Sequence, residues 1–108
     1  MASAVEGRAI SITQGNVDNN HIPITYIKEL FPSDCFGGES RTSIGKLIQV
    51  ALDGVGTFDT DIATSKNILR IRQSDAIKTF YKLNNAKHGT RLFFEKTSPR
   101  AFRVTAID

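Results

Sequence analysis

Residues 68–96 have the sequence ILRIRQSDAIKTFYKLNNAKHGTRLFFEK, and they set the architecture of the chain. Apolar and basic side chains alternate over residues 68–72 with the period of two that is typical of a half-buried strand. The next apolar residues, Ile77, Phe80 and Tyr81, recur at the spacing of a helix with one buried face. The chain then returns to strand character at residues 91–96, so a strand, a helix and a second strand follow one another.

Further short strands are predicted on both sides of this stretch. Period-two alternation or short apolar runs bounded by turn residues occur at residues 9–13, 21–25, 46–52, 57–62 and 101–107. Thr25 can cap a short helix at residues 26–31, and Pro32 ends it because the residue before a proline avoids the helical region. Short strands without repeated strand–helix–strand units predict a mostly β fold, a small and mostly antiparallel barrel.

The bulk composition indicates one compact domain. The 108 residues, 40% hydrophobic and 23% charged, suffice for a single core spanning residues 1–108, with residues 1–7 as a loose N-terminus. No membrane-spanning apolar segment and no secretory leader is found in the sequence. Cys35 is the single cysteine, so no internal disulfide can form, which favours the cytoplasm. Cys35, His21 and His88 lack the spacing of a zinc site, and we expect no metal and no cofactor.

Charge is divided unevenly along the chain. Residues 62–107 contain ten Lys or Arg against two acids, whereas residues 1–61 contain four against eight, and the net charge of +3 hides this division. Self-repulsion makes such a basic block costly unless the charges are spread or a polyanion binds them, so nucleic acid is the first partner to consider. The alternative is a solvated basic face that has no ligand.

Two polar segments interrupt the predicted strands and carry side chains suited to nucleic acid. The first arm, residues 14–20, is rich in Asn, whose amide offers the donor and acceptor that match adenine N6 and N7. The second arm, residues 63–67, is the polar tip of a hairpin, where Lys66 can contact a phosphate. An Asn in a turn also bonds to nearby backbone, which is the competing interpretation of each single Asn.

Two arginines follow the second arm on one face of a strand. Arg70 and Arg72 are two residues apart, roughly 6.5 Å along the strand, and a guanidinium matches guanine O6 and N7 or a phosphate. Cross-strand pairing with Asp59 or Asp61 competes with these roles. Arg41, in a Gly-rich loop, is a further candidate phosphate contact. Other basic residues are interpreted as the solvated side of the helix and the last hairpin: Lys78, Lys82, Lys87, Arg100 and Arg103.

Three stretches carry a resemblance to a known family: residues 22–24 before the first helix, residues 68–71 after the hairpin tip, and residues 84–96, where a helix ends and a Leu-Phe-Phe strand completes the barrel. Over residues 8–107 the chain resembles the B-three DNA-binding pseudobarrel. The resemblance implies a mostly β, seven-stranded open pseudobarrel with two short α-helices. Phe58 and Thr90 stand where the plant branch has a Trp and an acidic residue. The chain therefore most resembles the DNA-recognition and effector domains of bacterial type II restriction endonucleases.

The family grips the major groove of DNA between an N-terminal and a C-terminal arm. Carried onto this chain, the resemblance places in the first arm the residues Gln14, Asn16, Asp18, Asn19, Asn20 and His21. It places in or beside the second arm the residues Asp61, Thr64, Ser65, Lys66, Asn67 and Arg70.

The expected function is sequence-specific binding of double-stranded DNA through the major groove, as recognition or effector domain of a restriction endonuclease. The acid-x-lysine pattern of a nuclease is missing from the sequence, so we expect no catalytic site in this chain and a nuclease domain elsewhere in the full-length protein. Two alternatives stay open. One is a small β-barrel that binds single-stranded nucleic acid or RNA, and the other is a protein-interaction barrel with an acidic partner.

Overall fold

The computed structural model describes residues 6–38, 44–71 and 75–107, and β-strands dominate the described part of the chain. Its strands are β1 (Glu6–Ser11), β2 (Phe36–Gly37), β3 (Ile48–Leu52), β4 (Gly56–Thr60), β5 (Ile62–Ala63), β6 (Ile68–Leu69), β7 (Arg91–Ser98) and β8 (Ala101–Ala106). Its α-helices are α1 (Gln14–Asp18) and α2 (Ala76–Leu83), and 3₁₀ turns occupy Lys28–Leu30 and Ser33–Cys35. The prediction of a mostly β fold is confirmed.

The strand count differs from the predicted seven, because eight strands lie within the described residues. The strand predicted at residues 57–62 is interrupted at Asp61 and becomes β4 and β5. The strand β2 arises inside a predicted loop, where it pairs in parallel with β5. Residues 21–25, predicted as a strand, contribute a single isolated bridge between Pro23 and Ile68.

The larger sheet has the strand order β1-β7-β8-β3-β4. The strands β3 and β8 run parallel, and the other three pairings are antiparallel. Alternate residues of the central strands, Leu92 and Phe94 of β7 and Val104 of β8, are fully buried. One face of this sheet therefore covers the core, as the period-two pattern predicts.

The smaller sheet carries the second arm. Its order is β2-β5-β6, and β5 and β6 form an antiparallel hairpin in which Ile62 lies opposite Leu69. Both of these side chains are buried, so the hairpin is anchored in the core at its base. Residues 64–67 form the turn at its tip.

The helix α2 closes the core with the predicted apolar stripe. Ile77, Phe80 and Tyr81 are buried, whereas Leu83, the last residue of the helix, is 58% exposed. The spacing of these three apolar residues thus fixes which face of α2 points inward. Phe31 adds an aromatic contact from another segment, with its ring centroid 4.6 Å from that of Phe102.

The other predicted helix, at residues 26–31, is only the 3₁₀ turn Lys28–Leu30. A tight turn already ends at Ile27, whose N–H bonds to the carbonyl of Ile24 at 3.0 Å. At the other end Phe31 is extended (φ −100°, ψ 145°) because Pro32 follows it. Too few residues remain between these constraints for an α-helix. No helix within the described residues is long and apolar enough to cross a membrane.

Candidate nucleic-acid interface

The first arm begins as a capped helix, α1, and not as the extended polar loop that its Gly and Asn residues suggest. Thr13 and Asn16 form a capping box: the Thr13 hydroxyl accepts from the Asn16 N–H at 3.2 Å, and the Asn16 side-chain oxygen accepts from the Thr13 N–H at 2.9 Å. These two bonds satisfy backbone donors that a helix start leaves unpaired. The Asn16 side-chain oxygen is therefore engaged by the arm itself.

Other polar side chains of the first arm also bond locally. The Gln14 amide donates to Asp18 at 3.0 Å and accepts from the His88 N–H at 3.4 Å, and the Asn19 amide donates to the Gly15 carbonyl at 2.8 Å. The competing interpretation of turn asparagines is thus confirmed for Asn16 and Asn19. Asn20 differs, because it is exposed at a left-handed φ of 55° and its side chain bonds to no other described residue.

The helix α2 holds the base of the first arm in place. The Tyr81 hydroxyl donates to the carbonyl oxygen of His21, the last residue of the arm. Tyr81 is 3% exposed, and its burial raises the pKa of the hydroxyl well above the ordinary value, so the donor keeps its proton. His21 itself is half-buried beneath the arm. This contact therefore fixes the end of the first arm against α2.

The second arm presents its side chains more openly. The N–H groups of Lys66 and Asn67 both bond to the Ala63 carbonyl, at 3.1 and 2.7 Å, and Asn67 has a left-handed φ of 53°. This compact turn leaves Thr64, Ser65 and Lys66 exposed. Two hydroxyls and one ammonium group are therefore available at the tip, and Asn67 lies half-buried at its edge.

The two backbone hydrogen bonds of the Pro23–Ile68 bridge, here called the ladder, connect the two arms. The Leu69 N–H bonds to the Ile22 carbonyl at 3.1 Å, and the Ile24 N–H bonds to the Asn67 carbonyl at 2.8 Å. Residues 22–24 thus run antiparallel to β6, with the first arm at one end of the ladder and the tip of the second arm at the other. At about 3.3 Å per residue, His21 and Ile24 lie about 10 Å apart along this segment. The spacing between the arms is set by buried residues, since Ile22, Ile24 and Leu69 are all in the core.

Asp61 and Arg70 support the second arm from within the fold. One Asp61 oxygen lies 3.1 Å from Arg70 Nε, and the other accepts from the Gly45 N–H at 2.8 Å. The Arg70 guanidinium also donates to the Gly38 carbonyl. Asp61 is 2% exposed, so the expectation that its side chain lies on the DNA-facing surface is wrong. The competing cross-strand pairing is confirmed for Arg70, whose side chain is 10% exposed.

Gly45 is the residue that lets a distant segment approach Asp61. A Cβ atom at position 45 would lie 2.6 Å from the carbonyl carbon and oxygen of Cys35, closer than such atoms can come. Only glycine brings its N–H to the buried carboxylate along this path. Two other predicted site residues, Arg41 and Arg72, lie outside the described residues.

Ion pairs neutralise part of the basic half. Acids from the first part of the chain pair with Lys96, Arg100 and Arg103: Glu6 at 3.8 Å, Asp34 at 2.7 Å and Asp53 at 2.6 Å. The hydrogen bond from Arg100 lowers the pKa of Asp34, which keeps that pair ionised. Three of the ten basic residues at positions 62–107 are thus paired in space with acids from the first part of the chain.

Four lysines stay outside this pairing. Within the described ranges no carboxylate forms an ion pair with any of these exposed side chains: Lys66, Lys78, Lys82 and Lys87. Lys66 is at the tip of the second arm. Lys78 and Lys82 lie on the outer face of α2, where the sequence predicts only a solvated surface, but they line a groove opposite the first arm. Sequence reasoning misses them as site residues because the arm that faces them is distant in the chain.

The groove between α1 and α2 is open, has a volume of about 430 Å³, and is lined by both polar and apolar side chains. Asp18 and Asn20 form its wall on the side of the first arm, and Lys78, Lys82 and Asn85 form the α2 side. A smaller pocket of about 90 Å³, also lined by Asn20 and Lys78, extends it towards the start of α2. The surface around the arms therefore combines amides, hydroxyls and unpaired ammonium groups, which are donors and acceptors suited to base edges and phosphates.

Comparisons with known proteins bear on the fold. No protein-family model matches the chain, and no curated protein matches it. A solved structure of a hypothetical Arabidopsis thaliana protein is similar over 99% of this chain and 95% of that chain, with 17% sequence identity and a TM-score of 0.55. At this identity the likeness shows a shared fold alone.

Proposed function

We propose that this protein binds double-stranded DNA in a sequence-specific manner by placing its two arms in the major groove. The observation that carries the proposal is the ladder between residues 22–24 and β6, which separates the bases of the two polar arms, His21 and Ile24, by about 10 Å along the chain at about 3.3 Å per residue. That spacing is compatible with a major groove about 12 Å wide. Because the ladder residues are buried, the arms are preorganised, and little conformational entropy is lost on binding.

The exposed groups on the arms divide into two roles. Asn20 and the hydroxyls of Thr64 and Ser65 contact base edges, since amides and hydroxyls both donate and accept hydrogen bonds there. Lys66 contacts a phosphate, because a lysine at a loop tip acts as a point charge. Asp61 and Arg70 act indirectly, by fixing the hairpin that carries the second arm.

The wider setting follows from the family resemblance. We propose that the chain is the recognition or effector domain of a restriction endonuclease, and that a nuclease domain in the full-length protein cuts the DNA. The free, buried Cys35 agrees with a reducing compartment such as the cytoplasm.

Selection of bound duplexes from a random pool, followed by titration of the selected duplex at several salt concentrations, tests the proposal. We expect a preferred sequence and an affinity that falls steeply with salt. Absence of salt-dependent duplex binding, even in the micromolar range, would refute it, because non-specific binders of DNA already reach about 10⁻⁴ to 10⁻⁶ M.

Two variants separate the roles of the arms. Asn20→Ala should cost about 1–3 kcal/mol on the selected duplex and relax the preference at one base pair. Lys66→Gln should weaken binding to all duplexes equally. It should also reduce the salt slope, the slope of log K against log[salt], by about 0.9. Lys96→Gln is the matched control, because this lysine is paired with Glu6 at the other end of β7 and should leave binding unchanged.

One exposed residue favours a second candidate, the binding of single-stranded nucleic acid. Tyr26 is 88% exposed and lies two residues beyond Ile24, which is bonded to the second arm. An exposed ring at such a position can stack on an unpaired base, and such stacking is worth about 1–3 kcal/mol. A competition assay between a single strand and its duplex distinguishes the two functions. If the protein binds the single strand more tightly, and Tyr26→Ala loses that binding, the single-strand function is the correct one.

A further inference from the structure

We propose that the groove between α1 and α2 is a second DNA contact, which holds two phosphates of the backbone beside the base pairs that the arms read. The inference rests on the proposed function and extends it beyond the arms. Its two phosphate ligands are Lys78 and Lys82, which no pattern in the sequence assigns to a site.

The two lysines are placed as a pair. They are four residues apart on α2, about 6 Å along the helix axis and on the same face. The opposite face of α2 is fixed in the core by Phe80 and Tyr81, so the outer face has a defined orientation. Residues 76–83 contain no acid, so α2 offers neither lysine an intrahelical ion pair. Both charges are therefore held side by side without a partner among the described residues.

The groove is fixed relative to the first arm. The hydrogen bond from Tyr81 to the His21 carbonyl ties α2 to the base of the arm, and Asn20 lines the groove beside Lys78. DNA that meets Asn20 in the major groove therefore has a strand close to α2. An ammonium group reaches a phosphate there without any base contact, which would position the duplex and add no sequence preference.

Two acids lie near the lysines, and one of them, Asp18, lines the groove itself. Asp18 lines the groove on the side of the first arm, and its carboxylate accepts a hydrogen bond from the Gln14 amide. Asp75, near the start of α2, lines the smaller adjoining pocket. A phosphate held by the two lysines would be repelled by Asp18. Removing that charge should therefore strengthen binding to every duplex, which is the opposite of what loss of a base contact would do.

Salt titration of the double variant Lys78→Gln/Lys82→Gln tests the proposal. Each phosphate contact multiplies the binding constant by about (1/[salt])^0.9, with [salt] in mol/L. This factor is about eight at a salt concentration of about 0.1 M. The double variant should therefore bind about sixty-fold more weakly, to selected and scrambled duplexes alike, with a salt slope reduced by about 1.8. Urea midpoints should match the wild-type protein, because both lysines are exposed.

The controls separate failure of the groove from failure of the proposed function. Lys96→Gln should keep the wild-type slope, and Asp18→Asn should raise the affinity for all duplexes. If the wild-type protein binds the selected duplex and the double variant has the same salt slope, the groove is not a phosphate contact. The proposal that the arms bind DNA is then unaffected. If Asp18→Asn instead loses affinity only through a weaker preference at one base pair, a base edge occupies the groove. That result would also refute the phosphate contact. If the wild-type protein binds no duplex, the proposed function itself fails.

Discussion

Replacing Asp61 by Asn tests whether a buried ion pair holds the second arm. The substitution keeps the shape of the side chain, but it removes the charge opposite Arg70 and replaces one acceptor oxygen with an amide donor. That donor would face either the Gly45 N–H or the Arg70 guanidinium, which are both donors. The Arg70 charge would then lie in a site where its side chain is only 10% exposed.

The expected loss is large because the pair is almost fully buried. Removing one partner of a buried pair costs about 3–5 kcal/mol, and here Arg70 loses the carboxylate oxygen that lies 3.1 Å from its Nε. For a chain of this size with a urea dependence of about 2 kcal/mol per molar, the unfolding midpoint should fall by about 1.5–2.5 M. Equilibrium urea denaturation followed by circular dichroism measures this shift.

Asp59→Asn is the matched control for this experiment. Asp59 is exposed on β4, two residues before Asp61, so the same substitution there should change stability by less than about 0.5 kcal/mol. If the midpoint of Asp61→Asn also lies within roughly 0.3 M of the wild-type value, the buried pair is not a structural support and the reasoning is refuted. Replacing Asp61 and Arg70 together by Leu and Met should recover most of the loss, because no charge is then left buried.

Three further outcomes follow from the contacts of the first arm and the core. Tyr81→Phe leaves the His21 carbonyl without its donor and should cost about 1–3 kcal/mol in urea denaturation, and an unchanged midpoint would contradict that bond. Thr13→Ala removes the cap of α1 and should speed amide hydrogen exchange in α1 by roughly fivefold, in line with about 1 kcal/mol, while exchange in α2 stays unchanged. Burial raises the pKa of the Cys35 thiol from 9.0 to about 11 in the folded state, so stability should fall between these values as the unfolded thiol ionises first. This contribution, about 1.4 kcal/mol per pH unit, should be missing in Cys35→Ala, so the wild-type stability should fall more steeply than that of the variant, and equal slopes in both proteins would contradict the shift.

Local sequence patterns predict the elements that have one apolar face. The helical stripe of Ile77, Phe80 and Tyr81 identifies α2, and the alternation around Leu92 and Phe94 identifies β7, because burial of one face is encoded at a fixed period. The polar tip at residues 63–67 is likewise found as predicted, since it is flanked by apolar strand residues.

The helix α1 escapes prediction for a specific chemical reason. Its capping box pairs Thr13 with an Asn at the third helical position, whereas the usual signature has Glu or Gln there. Gly15 and the neighbouring asparagines also favour turns. A loop is therefore the structure that the sequence predicts, and only the reciprocal bonds of Thr13 and Asn16 reveal a helix.

The site depends on contacts between distant segments, which no local pattern encodes. Asp61 is buried only because Gly45 comes close from another part of the chain. Lys78 and Lys82 face a groove only because Tyr81 bonds to His21, 60 residues earlier in the chain. The uneven charge of the sequence indicates a polyanion partner. It does not indicate which cations could bind that partner, because the ion pairs of Arg100 and Arg103 appear only in the folded structure.

The central claim is that both arms contact the same duplex, and chemical-shift mapping tests it most directly. The amide signals of a ¹⁵N-labelled sample are followed while the selected duplex is added. The account predicts that residues 19–21 and 64–67 shift together and saturate at the same ratio, while residues 97–100 at the β7–β8 turn stay in place. Shifts confined to one arm, or centred on the β7–β8 turn, would contradict it.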